Sequence, residues 1–367
     1  MSSGVEIRAA VLRAQDRPIA VETLRLREVR PDEVRVRIDV TGVCHSDLSL
    51  ARGKLAQPLP AVLGHEASAT IVELGSEVDA LGVGDQVILL WNTPCGECFY
   101  CRRGEVHLCE HAADRTGDPH AFDADGVPVY PGLTVGSFAD QTIVPARAVV
   151  PIPADISPED AALLGCAVTT GVGAVTKTMK VTPEASVVVL GVGGVGASVL
   201  RGAAMVGADQ IIAVDRNPDK EEAAKSAGAT AFVAAGDSLR REIKALTEGR
   251  GADYAFDCVG SAATIREAWS LTRRGGAACV VGIGGRDEQV TFKALELFHF
   301  ARTLTGCVAG SLNAAADLPT YFEWLRNGTL TLSDMITARG TLEEIEPALA
   351  RLEAGQGLRT LVYPGSS

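Results

Sequence analysis

Two patterns in the chain predict an α/β protein of two domains, an antiparallel β-barrel and a doubly wound, six-stranded parallel sheet. The first is strict alternation near the N-terminus: Val34, Val36, Ile38 and Val40 are apolar, and Arg35, Arg37 and Asp39 between them are charged. A period of two marks a strand with one buried face. The second begins near Thr169, where short apolar runs alternate with helical segments, as βαβ crossovers require. At 367 residues the chain is also too long for one comfortable core.

Taken in order, residues 9–12, 67–74 and 86–90 read as further strands of the first domain, divided by turns such as Gly82-Val83-Gly84-Asp85. From Thr93 to about Gly136, cysteine, proline, aspartate and glycine replace any periodicity. A stretch that long without regular structure is expected to be functional or stapled by metal, with the cysteine lobe at about 93–112. The second domain then runs through strands at 186–190, 210–214, 230–233, 254–257, 277–281 and 303–308, separated by helices. Past Val308, two helical stretches and a strand at 358–363 return to the first domain. The expected division is therefore 1–167 with 309–367, and 168–308.

Composition narrows the function. The chain is 47% apolar and 22% charged, an ordinary globular balance. Its net charge of -12 argues against nucleic acid, whose phosphates such a surface repels. The first residues carry charges where a signal peptide needs an apolar run, so a cytoplasmic protein is expected. The most apolar stretch, 185–200, is short for a membrane span and contains four glycines, so no membrane association is expected. Nine cysteines in such a chain point to thiolates and metal.

Three motifs carry chemistry. Cys95, Cys98, Cys101 and Cys109 form a C-x2-C-x2-C-x7-C run that can wrap one tetrahedral zinc ion and leave no open position. Disulfides, a nucleic-acid zinc ribbon and an iron–sulfur cluster are the alternatives for that spacing. The second motif, Gly191-Val192-Gly193-Gly194-Val195-Gly196, follows an apolar strand and opens a helix at 195–206. Glycines there permit a tight turn and close approach of backbone N–H groups to a pyrophosphate. Asp215 lies 19 residues past Gly196, where a carboxylate accepts from the adenosine ribose and repels a 2′-phosphate, favouring NAD over NADP. Arg216 beside it weakens that preference. A structural glycine turn with Asp215 as a strand cap is the alternative. The third motif is scattered: Cys44, His65 and Cys166 offer two thiolates and an imidazole, the three-ligand set of a catalytic zinc. Cys166 just precedes the glycine-bearing domain, so this set is expected at the cleft between domains.

The segments Gly42-Val43-Cys44-His45-Ser46-Asp47, Gly64-His65-Glu66, the cysteine lobe, Gly191–Gly196 and Leu358-Arg359-Thr360 together resemble the zinc-containing medium-chain alcohol dehydrogenases, in order and over nearly the whole chain. The resemblance implies a GroES-like barrel as catalytic domain, a Rossmann coenzyme domain, and two zinc ions and NAD per chain. It implies that Cys44, His65 and Cys166 bind the catalytic zinc, with Glu66 behind the metal and Asp47 orienting His65. Ser46 is implied to carry the alcohol proton, with Ser49 where many relatives have a relay histidine. His45 and Arg359 are implied on pyrophosphate, Thr170 near nicotinamide and Lys220 near the ribose, with Gly282 and Ile283 as further cofactor contacts. Leu55, Trp91 and Phe138 are implied in the substrate pocket, with Phe298 or Leu304 nearby. A bulky Trp91 would favour primary alcohols and aldehydes. The thiol-adduct formaldehyde dehydrogenases of the same family are the alternative, with Arg115 meeting an adduct carboxylate or standing as a loop charge. The resemblance implies a homodimer rather than a tetramer, because 111–133 is longer than in the short-loop tetrameric relatives.

Overall fold

The computed structural model describes residues 4–365. They form two compact units, 4–166 with 313–365 and 167–312. The return to the first unit falls later than about Val308 because the turn Ala309–Ser311 still belongs to the second. A Cβ on Gly173 would lie 2.3 Å from Leu312 Cδ1 and 2.4 Å from Gly310 O, so this turn packs directly on the helix Ala167–Gly173.

The first unit holds a small closed barrel and a seven-stranded sheet. The barrel joins Glu6–Leu12, Ala20–Leu26, Ala121–Phe122, Pro128–Pro131 and Ala61–Val62. Two of its strands come from the stretch expected to be irregular. They are too short for an alternating pattern to show, and they form because the neighbouring barrel strands supply their hydrogen-bond partners. The larger sheet runs Val149–Pro151, Gln86–Leu89, Glu66–Leu74, Glu33–Gly42, Arg359–Val362, Ile336–Gly340, with Gln141–Pro145 also paired to Glu33–Gly42. Val34, Val36, Ile38 and Val40 are buried as the alternation requires.

Register in this sheet assembles the site. Gly42 pairs with Glu66 on one side and with Leu361 on the other, both antiparallel. Residues some three hundred positions apart in sequence thus meet on adjacent strands. The helix Pro158–Leu164 lies across the same sheet: Ser68 Oγ donates to Pro158 O at 2.8 Å, and a Cβ on Gly165 would be 3.3 Å from Ala67 N. Cys166 is thereby delivered to the same strand ends.

The second unit is a six-stranded parallel sheet in the order Ala231–Ala234, Gln210–Asp215, Ser186–Leu190, Ala252–Asp257, Thr272–Val280, Thr303–Gly306. Chain order reverses between Ser186–Leu190 and Ala252–Asp257, the switch point where such sheets bind ligands. Val187, Val188 and Val189 are fully buried, as strands covered on both faces must be. No single helix among the described residues is long and apolar enough to cross a membrane.

Candidate active site and metal centres

Cys44 N-caps the short helix His45–Ala51, directly after the strand Glu33–Gly42. Its backbone N–H donates to Asp47 Oδ2 at 3.0 Å, and Asp47 Oδ1 accepts from Gly64 N–H at 2.9 Å. Asp47 Oδ1 also lies 3.1 Å from His65 Nδ1, so the fully buried carboxylate fixes the segments bearing both ligands. With Nδ1 donating, His65 presents a lone pair on Nε2. That atom is buried and has no hydrogen-bond partner. Gly64 has φ +89°, and a Cβ there would strike Phe138 Cδ1 at 2.5 Å, so only glycine lets His65 turn inward.

The ligand atoms of Cys44, His65 and Cys166 all lie within 4.8 Å of one another, and all three residues are buried. Cys166 donating its S–H, and then the charge of Arg359, hold the Cys44 thiol well below its ordinary value against the effect of burial. Cys166 is pushed up correspondingly by Cys44. Two sulfurs and an unpartnered imidazole nitrogen are the donor set zinc prefers when one position must stay exchangeable. The residues fit the metal.

Glu66 is outside this converging set. Burial raises its carboxyl to about 7 against the pull of Arg359, whose Nε donates to Oε1 at 3.3 Å. Oε2 has no partner. Arg359 Nη2 also lies 3.8 Å from Cys44 Sγ. The arginine expected on pyrophosphate is therefore turned to the negative charge of the metal cluster. Ser46 Oγ is 3.9 Å from Cys44 Sγ, Ser49 is half-buried, and His45 is exposed. The ring of Trp91 stands edge-on to His65, centroids 6.5 Å apart at 84°. Leu55 is half-buried against the barrel core. Phe138, expected in the pocket, is instead fully buried in that core, where it backs Gly64. Arg115 meets no open site: Nη1 donates to the buried Glu33 Oε1 at 2.6 Å.

The sulfurs of Cys95, Cys98, Cys101 and Cys109 converge within 4.8 Å, and all nine cysteines are free thiols. Backbone N–H groups of Cys98 and Glu97 donate to Cys95 Sγ at 3.2 and 3.4 Å, and those of Cys95 and His111 to Cys109 Sγ at 3.2 and 3.4 Å. N–H groups of Cys101 and Glu110 lower the Cys98 thiol to about 6. Four sulfurs at one point, rather than two bonded pairs, fit a closed zinc site.

In the second unit Gly191 has φ +91°, and Gly193 N-caps the helix Gly194–Met205. A Cβ on Gly196 would lie 1.8 Å from Gly191 O, so this glycine is needed for packing. A Cβ on Gly193 would meet nothing within 4 Å; it stands over open space at a helix N-terminus, where a pyrophosphate can approach backbone N–H groups. Asp215 closes its strand and accepts from Val192 N–H at 2.7 Å and Asn217 N–H at 2.9 Å, which fixes it beside the glycine turn. Arg216 is exposed, Lys220 and Thr170 are buried, and Val195 lies in the first turn of the helix. Gly282 and the exposed Ile283 follow the strand Thr272–Val280 at the same carboxyl ends. Phe298 and Leu304 are 85% and 40% exposed. The glycine cradle fits a dinucleotide.

Residues 30–154 match the alcohol dehydrogenase GroES-like domain, and 194–327 the zinc-binding dehydrogenase family. The chain is 32% identical to the S-(hydroxymethyl)glutathione dehydrogenase of Synechocystis sp., over 97% of this chain and 99% of that one. The Paracoccus denitrificans enzyme of that name matches equally, at 32% with the same shares of each chain covered. Among solved structures, benzyl alcohol dehydrogenase from Acinetobacter calcoaceticus superposes with a TM-score of 0.91 at 30% identity, covering 98% of this chain and 100% of that one. A sequence matched across both units, carrying an open Cys-His-Cys set, a closed four-cysteine set and a glycine cradle, has the parts of one enzyme class. The chain belongs to the zinc-containing medium-chain alcohol dehydrogenases, oxidoreductases that work with zinc and a nicotinamide dinucleotide.

Proposed function

We propose that the chain interconverts primary alcohols and aldehydes with NAD in the cytoplasm, working as a homodimer. The observation that carries the reading is the convergence of Cys44, His65 and Cys166 beside the Trp91 ring. When bound, zinc supplies Lewis acidity at the alcohol oxygen and nicotinamide supplies the hydride acceptor. Asp47 keeps His65 in the tautomer that ligates. Arg359 offsets the charge of two thiolates and of Glu66. The Ser46 hydroxyl takes the alcohol proton and passes it toward solvent. Trp91 restricts the space beside His65, which favours a primary over a secondary carbon. Asp215 accepts from the ribose diol and disfavours a 2′-phosphate.

The free thiols of the chain suit a reducing compartment. Thr303–Gly306 ends its sheet with an open edge, and Leu295, Leu297, Phe298 and Leu304 are exposed beside it, a surface suited to a second copy.

A second reading, oxidation of the adduct of formaldehyde with a thiol, is supported by relatives named S-(hydroxymethyl)glutathione dehydrogenase. The pairing of Arg115 with Glu33 removes the cation proposed for an adduct carboxylate. Turnover with NAD on short and aromatic primary alcohols, against formaldehyde plus glutathione, tests the choice. Activity on the alcohols alone is expected; activity only with the thiol present would favour the second reading.

A further inference from the structure

In a chain with 46 acidic and 34 basic residues, one cavity of the second unit is lined by basic side chains and no carboxylate. Its volume is about 510 Å³, and Arg240, Lys244, Arg250, Arg273, Arg274 and Arg302 face it. It lies at the amino ends of Ala252–Asp257, Thr272–Val280 and Thr303–Gly306, the opposite end of the sheet from the glycine turn.

Most of this charge is not neutralised. Arg250 pairs with Glu248 and Arg273 with Asp253, each at 2.6 Å. The other four have no carboxylate within ion-pair distance among the described residues. Arg274 Nη2 lies 2.5 Å from His299 Nε2 and donates to His299 O at 3.3 Å. Arg302 donates to the carbonyls of Thr272 and Arg273 and stacks 4.4 Å over the Phe300 ring. Arg240 and Lys244 are exposed on the helix Leu239–Leu246 and have no ion-pair partner among the described residues. Burial, and then the charges of Arg240 and Arg266, lower the Arg302 guanidinium below its ordinary value, with Glu296 opposing. Like charges crowded around one hollow repel one another until an anion enters.

We propose that this cavity is a second anion site, taking a small molecule that carries two or more phosphate groups. Guanidinium forks match phosphate oxygens in pairs, several cations exceed what one carboxylate neutralises, and the volume is that of a small-molecule pocket. The site is separate from the cofactor cradle and is filled while NAD is bound.

Calorimetric titration of the full chain with inorganic pyrophosphate, in saturating NAD, tests this directly, with ADP as a parallel arm to separate a nucleotide from an inorganic ligand. Arg240→Gln/Lys244→Gln is compared with Arg17→Gln/Arg25→Gln, an equal loss of exposed charge on the other unit. One pyrophosphate or ADP per wild-type chain is expected, weakened about ten-fold or more in the cavity variant and little changed in the control. No binding of either probe once NAD saturates the chain, or equal losses in both variants, overturns the proposal.

Discussion

Asp47 makes three hydrogen bonds with two oxygens, to Cys44 N–H, Gly64 N–H and His65 Nδ1, and none of these is to solvent. Asp47→Asn keeps the shape, removes the charge and puts an amide N–H against one of those donors. Zinc affinity at the Cys44 site is expected to fall about ten- to a hundred-fold, read by competition with a chelator. Glu33 is a structural counterpart. Burial opposes its charge, but Arg27 at 2.6 and 2.7 Å, Arg115 at 2.6 Å and Arg30 N–H at 3.0 Å outweigh that and hold the carboxyl at about 2. A depressed carboxyl stabilises the fold above its ordinary value near 4.5, and that contribution is lost as pH falls through about 2. Glu33→Gln, which leaves two arginines without their buried partner, is expected to cost about 3 kcal/mol at neutral pH. Its Tm should also fall less steeply than the wild type's between pH 4.5 and pH 2. A Tm curve parallel to the wild type would show that Glu33 is not the group titrating. The sequence showed Glu33 and Arg115 only as charges 82 positions apart; their pairing depends on folded geometry that no local pattern encodes.

At the scale of elements, the glycine turn separates two jobs. Gly196 is glycine for packing, with a Cβ 1.8 Å from Gly191 O, whereas a Cβ on Gly193 points into open space from a φ of -93° that alanine adopts freely. Gly196→Ala should therefore lower the Tm of the ligand-free protein. Gly193→Ala should leave that Tm in place and weaken NAD about ten-fold or more in a fluorescence titration, because the methyl meets the pyrophosphate. The central strands Ser186–Leu190 and Gln210–Asp215 of this unit were legible because each is an apolar run buried on both faces, whereas the edge strand Thr303–Gly306 is largely exposed. Ser186–Leu190 has the bounds read from sequence, and the others shift by a few residues at their ends. Ala20–Leu26, Ala61–Val62, Ala121–Phe122 and Ile336–Gly340 were not legible. Two of them have only two residues, and the other two mix charged and apolar side chains without strict alternation.

Over the whole molecule, the four-cysteine set could be named from its spacing and the Cys44, His65 and Cys166 set from residue type and family resemblance, while their surroundings could not be read. The four-cysteine lobe is local, so its spacing raises one ion as a reading, and the convergence of four free thiols supports it over disulfides. Cys44, His65 and Cys166 converge only because Gly42 pairs with Glu66 and the helix Pro158–Leu164 crosses the same sheet. Arg359 reaches the cluster through the pairing of Gly42 with Leu361, which turns its guanidinium to Glu66 and Cys44. The basic cavity left no mark in sequence, since its lining comes from several elements of the sheet's amino end. Two independent metal positions, one open and one closed, are the centre of this account. Zinc content per chain, measured with turnover on wild type and Cys44→Ala, tests it most directly. Two zinc ions should fall to one, with activity lost and the Tm nearly kept, because the four-cysteine lobe is untouched. A Cys44→Ala protein that still turns over alcohol, or a wild type holding a single zinc, would contradict it.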